Sequence, residues 1–299
     1  MYYIEDKERK KVIDLTENTK HENIYLINER PDDGFDKSNL TINQSTFSQM
    51  GFKKSQFKNS NLSHNIFMDC YFKDARMEQV SLVGSKFINC TFDNITLISC
   101  DFRYATFENC YIDFNDMLPN LPNLPSFHNV RWKMCTNLAL ECLKAGNSEN
   151  YKLYFYEEKK ASEKHYWEMF RKKESYYRRK YGAWDSLVGL FKYTASKFNK
   201  LFWGYGENIW QLVAMMLVTI SVFTLFLYKT NFYENGNKVS QKLELGESLY
   251  ISVCNFFTIG SGYTTTDTYS RILTACEGFI GMIIMGFFIA ALFRFINRR

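Results

Sequence analysis

One stretch of the chain combines residue types and spacing suited to a site: Ser252 to Asp267, SVCNFFTIGSGYTTTD. It is too polar and too glycine-rich to be a membrane helix, yet it lies between the chain's only two helix-length apolar runs. The apolar run that leads into it, SLYISVCNFF (Ser248 to Phe257), spans about ten residues, half of what crosses hydrocarbon. A short apolar helix followed by glycine-rich backbone describes a re-entrant segment. Irregular backbone is tolerated at membrane depth only where it is buried in protein or lines water, so the stretch is expected to line a pore. That chemistry is passage rather than bond making. No nucleophile–base pair, phosphate loop or metal-ligand spacing stands elsewhere, so neither an enzyme nor a bound cofactor is expected.

Two spans must position this loop. Ile209 to Tyr228, IWQLVAMMLVTISVFTLFLY, carries no charge over a membrane-crossing length, with Trp210 and Tyr228 at its ends where amphipathic rings prefer the interface. The second run, Ile272 to Ile296, is closed by Arg294, Arg298 and Arg299. Lysine and arginine crowd before the first run and after the second, while the connecting loop holds only Lys229, Lys238, Lys242 and Arg271. The positive-inside rule then puts both termini in the cytosol and the loop outside.

With the spans in place, the loop resembles the pore loop of two-helix potassium channels, a short pore helix followed by T-V-G-Y-G-D. The match runs without a gap through Thr258, Ile259, Gly260, Ser261, Gly262 and Tyr263, and Ser252-Val253 match the common helix start. The resemblance implies a homotetramer in which backbone carbonyls from four chains replace the water shell of a permeant K+ or Na+ ion, with glycines at backbone angles closed to side chains. It implies for Thr258 a carbonyl and a hydroxyl oxygen at the inner mouth. Three positions depart from the family: Ser261 replaces the aromatic that packs on the pore helix and holds the filter's diameter, Phe257 replaces a threonine, and Tyr263 replaces the outer aspartate. These departures favour a cation channel with weak or no potassium preference. The alternative is that Tyr263 packs as a displaced aromatic and restores a potassium-selective filter. In the second span, Gly281 and Gly286 fall where such channels have a gating hinge, though glycine also serves ordinary helix packing. Glu277 is an acid inside a span, placed to hydrogen-bond behind the filter, attract cations or brace the fold. Phe293 and Phe295 are placed to narrow the inner exit.

The N-terminal part announces itself by a period of five. Large apolar residues fall at Ile42, Phe47, Phe52, Phe57, Leu62, Phe67, Phe72, Met77, Leu82, Phe87, Phe92, Leu97, Phe102, Phe107 and Ile112, and mostly small ones, such as Ser45, Cys70 and Ala105, stand two residues before them. Neither a helix nor a flat strand has that period. A fixed short repeat buries its apolar residues only by stacking on neighbours, as in a solenoid. The pattern resembles the pentapeptide-repeat family, which implies a right-handed, four-sided β-helix with four pentapeptides per coil. Cys70, Cys90 and Cys110 then stack as a ladder of buried thiols, or less simply as a metal ladder. Basic and acidic residues of the solenoid balance, and the whole chain carries a formal net charge of only +5, so no nucleic-acid partner is expected. A protein or small ligand on the solenoid is the expected soluble partner.

Pro119, Pro122 and Pro125, at polyproline II spacing, end the solenoid. Beyond them Val130 to Leu143 and Glu149 to about Tyr181 read as a helical hairpin broken at Ala145 to Ser148, loosely resembling one tetratricopeptide unit; it serves as a cap, a spacer or a peptide groove. Trp184, Leu187, Val188, Phe191, Ala195, Phe198 and Phe202 line one side of an amphipathic helix suited to the membrane interface.

The fold class is therefore mixed. It comprises an N-terminal cap segment (1–39), a pentapeptide-repeat β-helix (40–116), a Pro-rich linker (117–129), a cytosolic hairpin (130–183), an interfacial helix (184–207) and a pore domain (208–299). Within the last, the first span covers 209–228, the pore helix 247–257, the filter 258–263 and the second span 272–296. Six of the eight cysteines precede the first span, where a reducing compartment keeps them as thiols, whereas Cys254 and Cys276 can meet an oxidising side. Pentapeptide repeats are chiefly bacterial, which implies a bacterial inner membrane. The rival reading is a membrane-anchored scaffold without conduction.

Overall fold

A computed structural model describes residues 20–22, 25–27, 34–228, 233–234, 237–238, 243–264 and 268–296. The chain divides into two compact units after Tyr193.

The first unit opens with a four-sided β-solenoid. Its three-residue strands form four parallel stacks, with partners twenty residues apart over most of the length: Phe47 pairs with Phe67, Phe67 with Phe87 and Phe87 with Phe107 on one face. The period of five follows from this geometry, since every fifth residue points inward from the middle of a side. The rings at 47, 67, 87 and 107, and those at 52, 72 and 92, stack nearly parallel with centroids 4.7 to 5.1 Å apart, the ordinary spacing between strands. The small residue two places earlier is buried because it bonds to the neighbouring coil: the side chains of Ser55, Ser60 and Asn65 accept from the backbone N–H of Phe35, Leu40 and Ser45. Corners are turned two places after each inward residue, at positions such as Asn59, Asp69, Asp74, Asn89, Asn94 and Asn109, all with positive φ. Asparagine and aspartate tolerate that left-handed backbone better than other side chains. Several corners also bond along the stack, as Asn89 to Asp69 at 3.1 Å and Asn94 to Asp74 at 2.8 Å.

The expectation that residues 1–39 form a separate cap is corrected in part. Lys20–Glu22, Tyr25–Ile27 and Asp36–Ser38 are strands of the same stacks, paired with Thr41–Asn43, Thr46–Ser48 and Gln56–Lys58. The beat hides them because the first two pair across twenty-one residues, and because Lys37 stands where an apolar residue is expected. Residues 1–19 of that expected segment lie outside the described residues.

The last strand is Thr106–Glu108. A short helix α1 (Phe114–Met117) and two single turns at Leu118–Asn120 and Pro125–Phe127 follow, with extended backbone between them at Leu121 and Leu124. Helices α2 (His128–Lys144) and α3 (Ser148–Arg171) form an antiparallel pair, followed by α4 (Ser175–Lys180) and α5 (Ala183–Trp203). The pair covers the open end of the solenoid with side chains that imitate a further coil. Asn137 accepts from the N–H of Phe107 at 2.8 Å and donates to its carbonyl at 2.9 Å. Asn120 does the same for Cys100 N–H and Leu97 O, Glu141 accepts from Asn109 N–H, and the buried Tyr154 hydroxyl donates to Ile112 O. Unpaired strand edges are thereby closed, the role of a cap.

The stacked thiols bond to backbone carbonyls: Cys90 donates to Phe67 O and Ile88 O, and burial pushes Cys110 up to about 12. Among the described residues all the cysteines are free, and none of their His, Cys, Asp and Glu groups clusters as a metal site. Cys254 and Cys276 are thus not bonded to each other. In α5, Gly189 packs under Met169 of α3 and Lys192 sits over the Tyr166 ring, while Trp184, Leu187, Phe191, Phe198 and Leu201 face outward.

The second unit holds α6 (Ile209–Leu227), α7 (Leu245–Phe256) and α8 (Thr268–Ile296), mutually packed. Helices α6 and α8 are long and apolar enough to cross a membrane.

Candidate functional site

Helix α7 begins at a reciprocal cap in which Glu244 and Glu247 bond each other's backbone, three turns before the glycine-rich stretch. Its start at Leu245 puts Ser252 past the midpoint, so the Ser252-Val253 match lies inside the helix rather than at its beginning. It is buried on one face by Ser248, Ile251, Ser252, Cys254 and Phe256. Met216 and Ile220 of α6, Phe256 of α7 and Ile284 of α8 form the shared core that holds it.

Helix α7 ends at Phe257, whose backbone leaves the helical region and whose ring is edge-on to Phe256 at 5.2 Å. Two bonds tie the next residues to the helix end: Thr258 N–H to Asn255 O at 3.1 Å, and Ile259 N–H to Cys254 O at 2.9 Å. From there left-handed backbone recurs at every second residue, with φ of 56° at Thr258, 84° at Gly260 and 76° at Gly262, while Ile259 and Ser261 do not share it. Such alternation sets this stretch apart from an extended strand, whose φ stays negative throughout. Ile259 is 74% exposed, and nothing lies within 4 Å of where a Cβ would stand on Gly260 or Gly262. The glycines therefore serve backbone conformation rather than close packing within the chain.

Glu277 of α8 is fully buried behind this segment. It is hydrogen-bonded to the Ser252 hydroxyl and accepts from Asn255 Nδ2 at 3.3 Å, and Ser252 Oγ also reaches the carbonyl of Ile220 in α6 at 3.0 Å. The carboxyl and the Ser252 hydroxyl thus tie the three helices together near the end of α7. Within the chain its carboxyl does not face solvent. Asn255 was not singled out by sequence and Ser252 only in the match to a helix start, since nothing but the fold brings them opposite position 277.

Gly281 lies directly under the end of α7, where an added Cβ would be 2.3 Å from Phe256 O, whereas Gly286 has open space around it. Phe293 is 69% exposed at the far end of α8; the Phe295 side chain lies outside the described residues. The expected helix bounds shift slightly: α7 covers 245–256 rather than 247–257, and α8 starts at 268 rather than 272, because polar Thr268 to Arg271 continue its first turn.

Residues 204–298 match the family described as ion channel, and residues 75–112 match pentapeptide repeats in eight copies. The chain joins a pentapeptide-repeat solenoid to an ion-channel domain. The two apolar helices of that channel domain accord with a membrane location. No curated protein matches the chain. Among solved structures, a trypsin-treated variant of QnrB1, a plasmid-mediated fluoroquinolone resistance protein, is similar at 19% identity over 31% of this chain and 56% of its own, with a TM-score of 0.17. Full-length QnrB1 is similar at 15% identity over 32% of this chain and 61% of its own, with a TM-score of 0.16. The chain thus spans little more than half the length of the solved proteins it matches.

Proposed function

We propose that four copies of this chain assemble around a common axis into a membrane channel for monovalent cations, each contributing Thr258, Ile259, Gly260, Ser261, Gly262 and Tyr263 as one wall of the filter. The observation that carries this reading is the alternating left-handed backbone at Thr258, Gly260 and Gly262, with open space at the two glycines and anchored at the end of the short helix α7. Backbone carbonyls of such a stretch can stand in for an ion's hydration shell, and one chain supplies one wall, so closure needs a symmetric oligomer. Ser261 offers no ring to hold the filter's diameter, which supports K+ and Na+ passing with little discrimination. The channel performs no catalysis and needs no cofactor.

The solenoid is the cytosolic domain for a protein or small-ligand partner that regulates opening, and nucleic acid is not that partner: its surface charges are balanced and paired, as Lys73 with Asp93 and Lys86 with Glu108. The excess of Lys and Arg before the first span and after the second supports cytosolic termini in a bacterial inner membrane. Native mass measurement of the full-length protein in detergent, paired with K+ and Na+ flux into liposomes, tests the proposal. Four chains per particle and flux of both ions are expected. A monomer or dimer without flux would overturn it and favour a membrane-anchored scaffold.

A further inference from the structure

We infer that Tyr263 is the outer anchor of the filter segment and thereby sets the width of the conduction path, an inference that rests on reading residues 258–263 as the filter. A strip of backbone with little support of its own keeps its shape only through its ends. At the inner end, Thr258 and Ile259 are bonded to the last turn of α7. From Gly260 to Gly262 the glycines have no atom within 4 Å of their Cβ positions, so within the chain this stretch gains no packing there. The Ser261 Oγ accepts from the N–H of Tyr263, at 3.4 Å.

Tyr263 is held in two independent ways. Its ring packs on a buried apolar cluster made by Leu227 at the end of α6, Leu243, and Ile251 in α7, on which Leu273 of α8 also rests. Its backbone belongs to a small antiparallel sheet in which Glu234 pairs with Tyr263 and Tyr233 with Thr264, while Tyr233–Glu234 pairs in turn with Asn237–Lys238. The outer end of the strip is thereby tied to α6, to α7 and to the loop between them. An aromatic ring buries more apolar surface than any aliphatic replacement, and backbone pairing fixes direction as well as position. Loss of the ring leaves the strip fastened firmly at its inner end and only by the sheet at its outer one, which widens its range of motion.

The test uses full-length protein, with Tyr263→Ala, Tyr263→Leu and Tyr263→Phe. Reversal potentials in planar bilayers give the permeability of dimethylammonium, a probe wider than K+, relative to K+. Amide exchange of the same proteins in lipid nanodiscs reads residues 258–264 without any need for current. Tyr263→Ala is expected to raise the dimethylammonium ratio by about threefold or more and to speed exchange at 260–263 by about tenfold. Tyr263→Phe stays near wild type, and Tyr263→Leu, which keeps apolar bulk where Ala fails to assemble, falls between. Wild-type permeability ratio and exchange in both the Ala and Leu variants would overturn the inference. A silent wild type whose exchange still responds to Tyr263→Ala would uphold the anchor and overturn the filter reading instead.

Discussion

Gly281 of α8 and Phe256 at the end of α7 approach so closely that a Cβ on Gly281 would stand 2.3 Å from the Phe256 carbonyl oxygen. Backbone cannot yield there as a flexible side chain would, so the position excludes every other residue without a shift of one helix. The contact lies two residues before Thr258, where the left-handed backbone alternation begins.

Gly281→Ala is therefore expected to force α8 away from α7, an overpacking cost of about 1–3 kcal/mol, and to lower both the thermal stability of the assembled protein and its conduction. Gly286→Ala, with open space around it, is expected to keep or raise stability, by up to about 1 kcal/mol from helix propensity. Thermal unfolding of the two variants in one detergent distinguishes them. If Gly286 is the hinge, its variant changes open probability at unchanged stability.

In the solenoid, Phe67 is stacked on both sides, by Phe47 and Phe87. Phe67→Ala leaves a cavity in the middle of a ladder and is expected to cost about 3–5 kcal/mol. Phe92, at the end of its ladder and only partly buried, is expected to cost less when truncated. Denaturant midpoints of full-length variants, read by amide exchange over residues 60–110, give the order; equal losses at the two positions would contradict it.

Asn137 closes the last strand by bonding both backbone groups of Phe107. Asn137→Ala strands those groups at the solenoid's end, with an expected cost of about 1–3 kcal/mol and faster exchange at Phe107 but not at Phe67. Asn137→Asp keeps the acceptor, loses the donor and falls between.

Acid should loosen the helical cap. His165 of α3 is buried among Trp132, Tyr166, Tyr177 and Tyr181, with its Nδ1 3.0 Å from the Tyr177 hydroxyl, and burial pulls it down from 6.5 to about 4. His128 of α2 is pulled to about 4 by burial as well, and its Nδ1 has no hydrogen-bond partner among the described residues. Both bases bind protons more readily unfolded than folded, so their contribution is fully present above pH 6.5 and is lost as pH falls toward 4. For His165 the loss is on the order of 3 kcal/mol. Unfolding midpoints measured from pH 7 to pH 4 are expected to fall in wild type and to fall less in His165→Gln.

The sequence made the solenoid legible because one physical cause, an inward side chain at the middle of each side, repeats from Ile42 to Ile112. Its first strands were not, because Lys37 breaks the beat and the pairing offset changes to twenty-one residues. The two long apolar helices and the short helix between them could be read from length and apolar content alone. The bonds of Glu277 to Ser252 and Asn255, the seat of Gly281 under Phe256 and the capping by Asn137 could not, since each depends on which helices meet and not on any local pattern. Nor could the contact of Tyr263 with the Leu227, Leu243 and Ile251 cluster, which lies two residues beyond Ser261, where no ring stands.

The central claim is that cations pass along the backbone of residues 258–263. The most direct measurement is the reversal potential in a planar bilayer with K+ on one side and Na+ on the other, for wild type and Gly260→Ala. A side chain at φ 84° costs about 1–2 kcal/mol in each chain and disturbs the carbonyl row. The expected result is a wild-type current reversing near zero that Gly260→Ala abolishes. Absence of current from well-folded wild-type assemblies across voltage, or a current that Gly260→Ala leaves unchanged, would contradict the account.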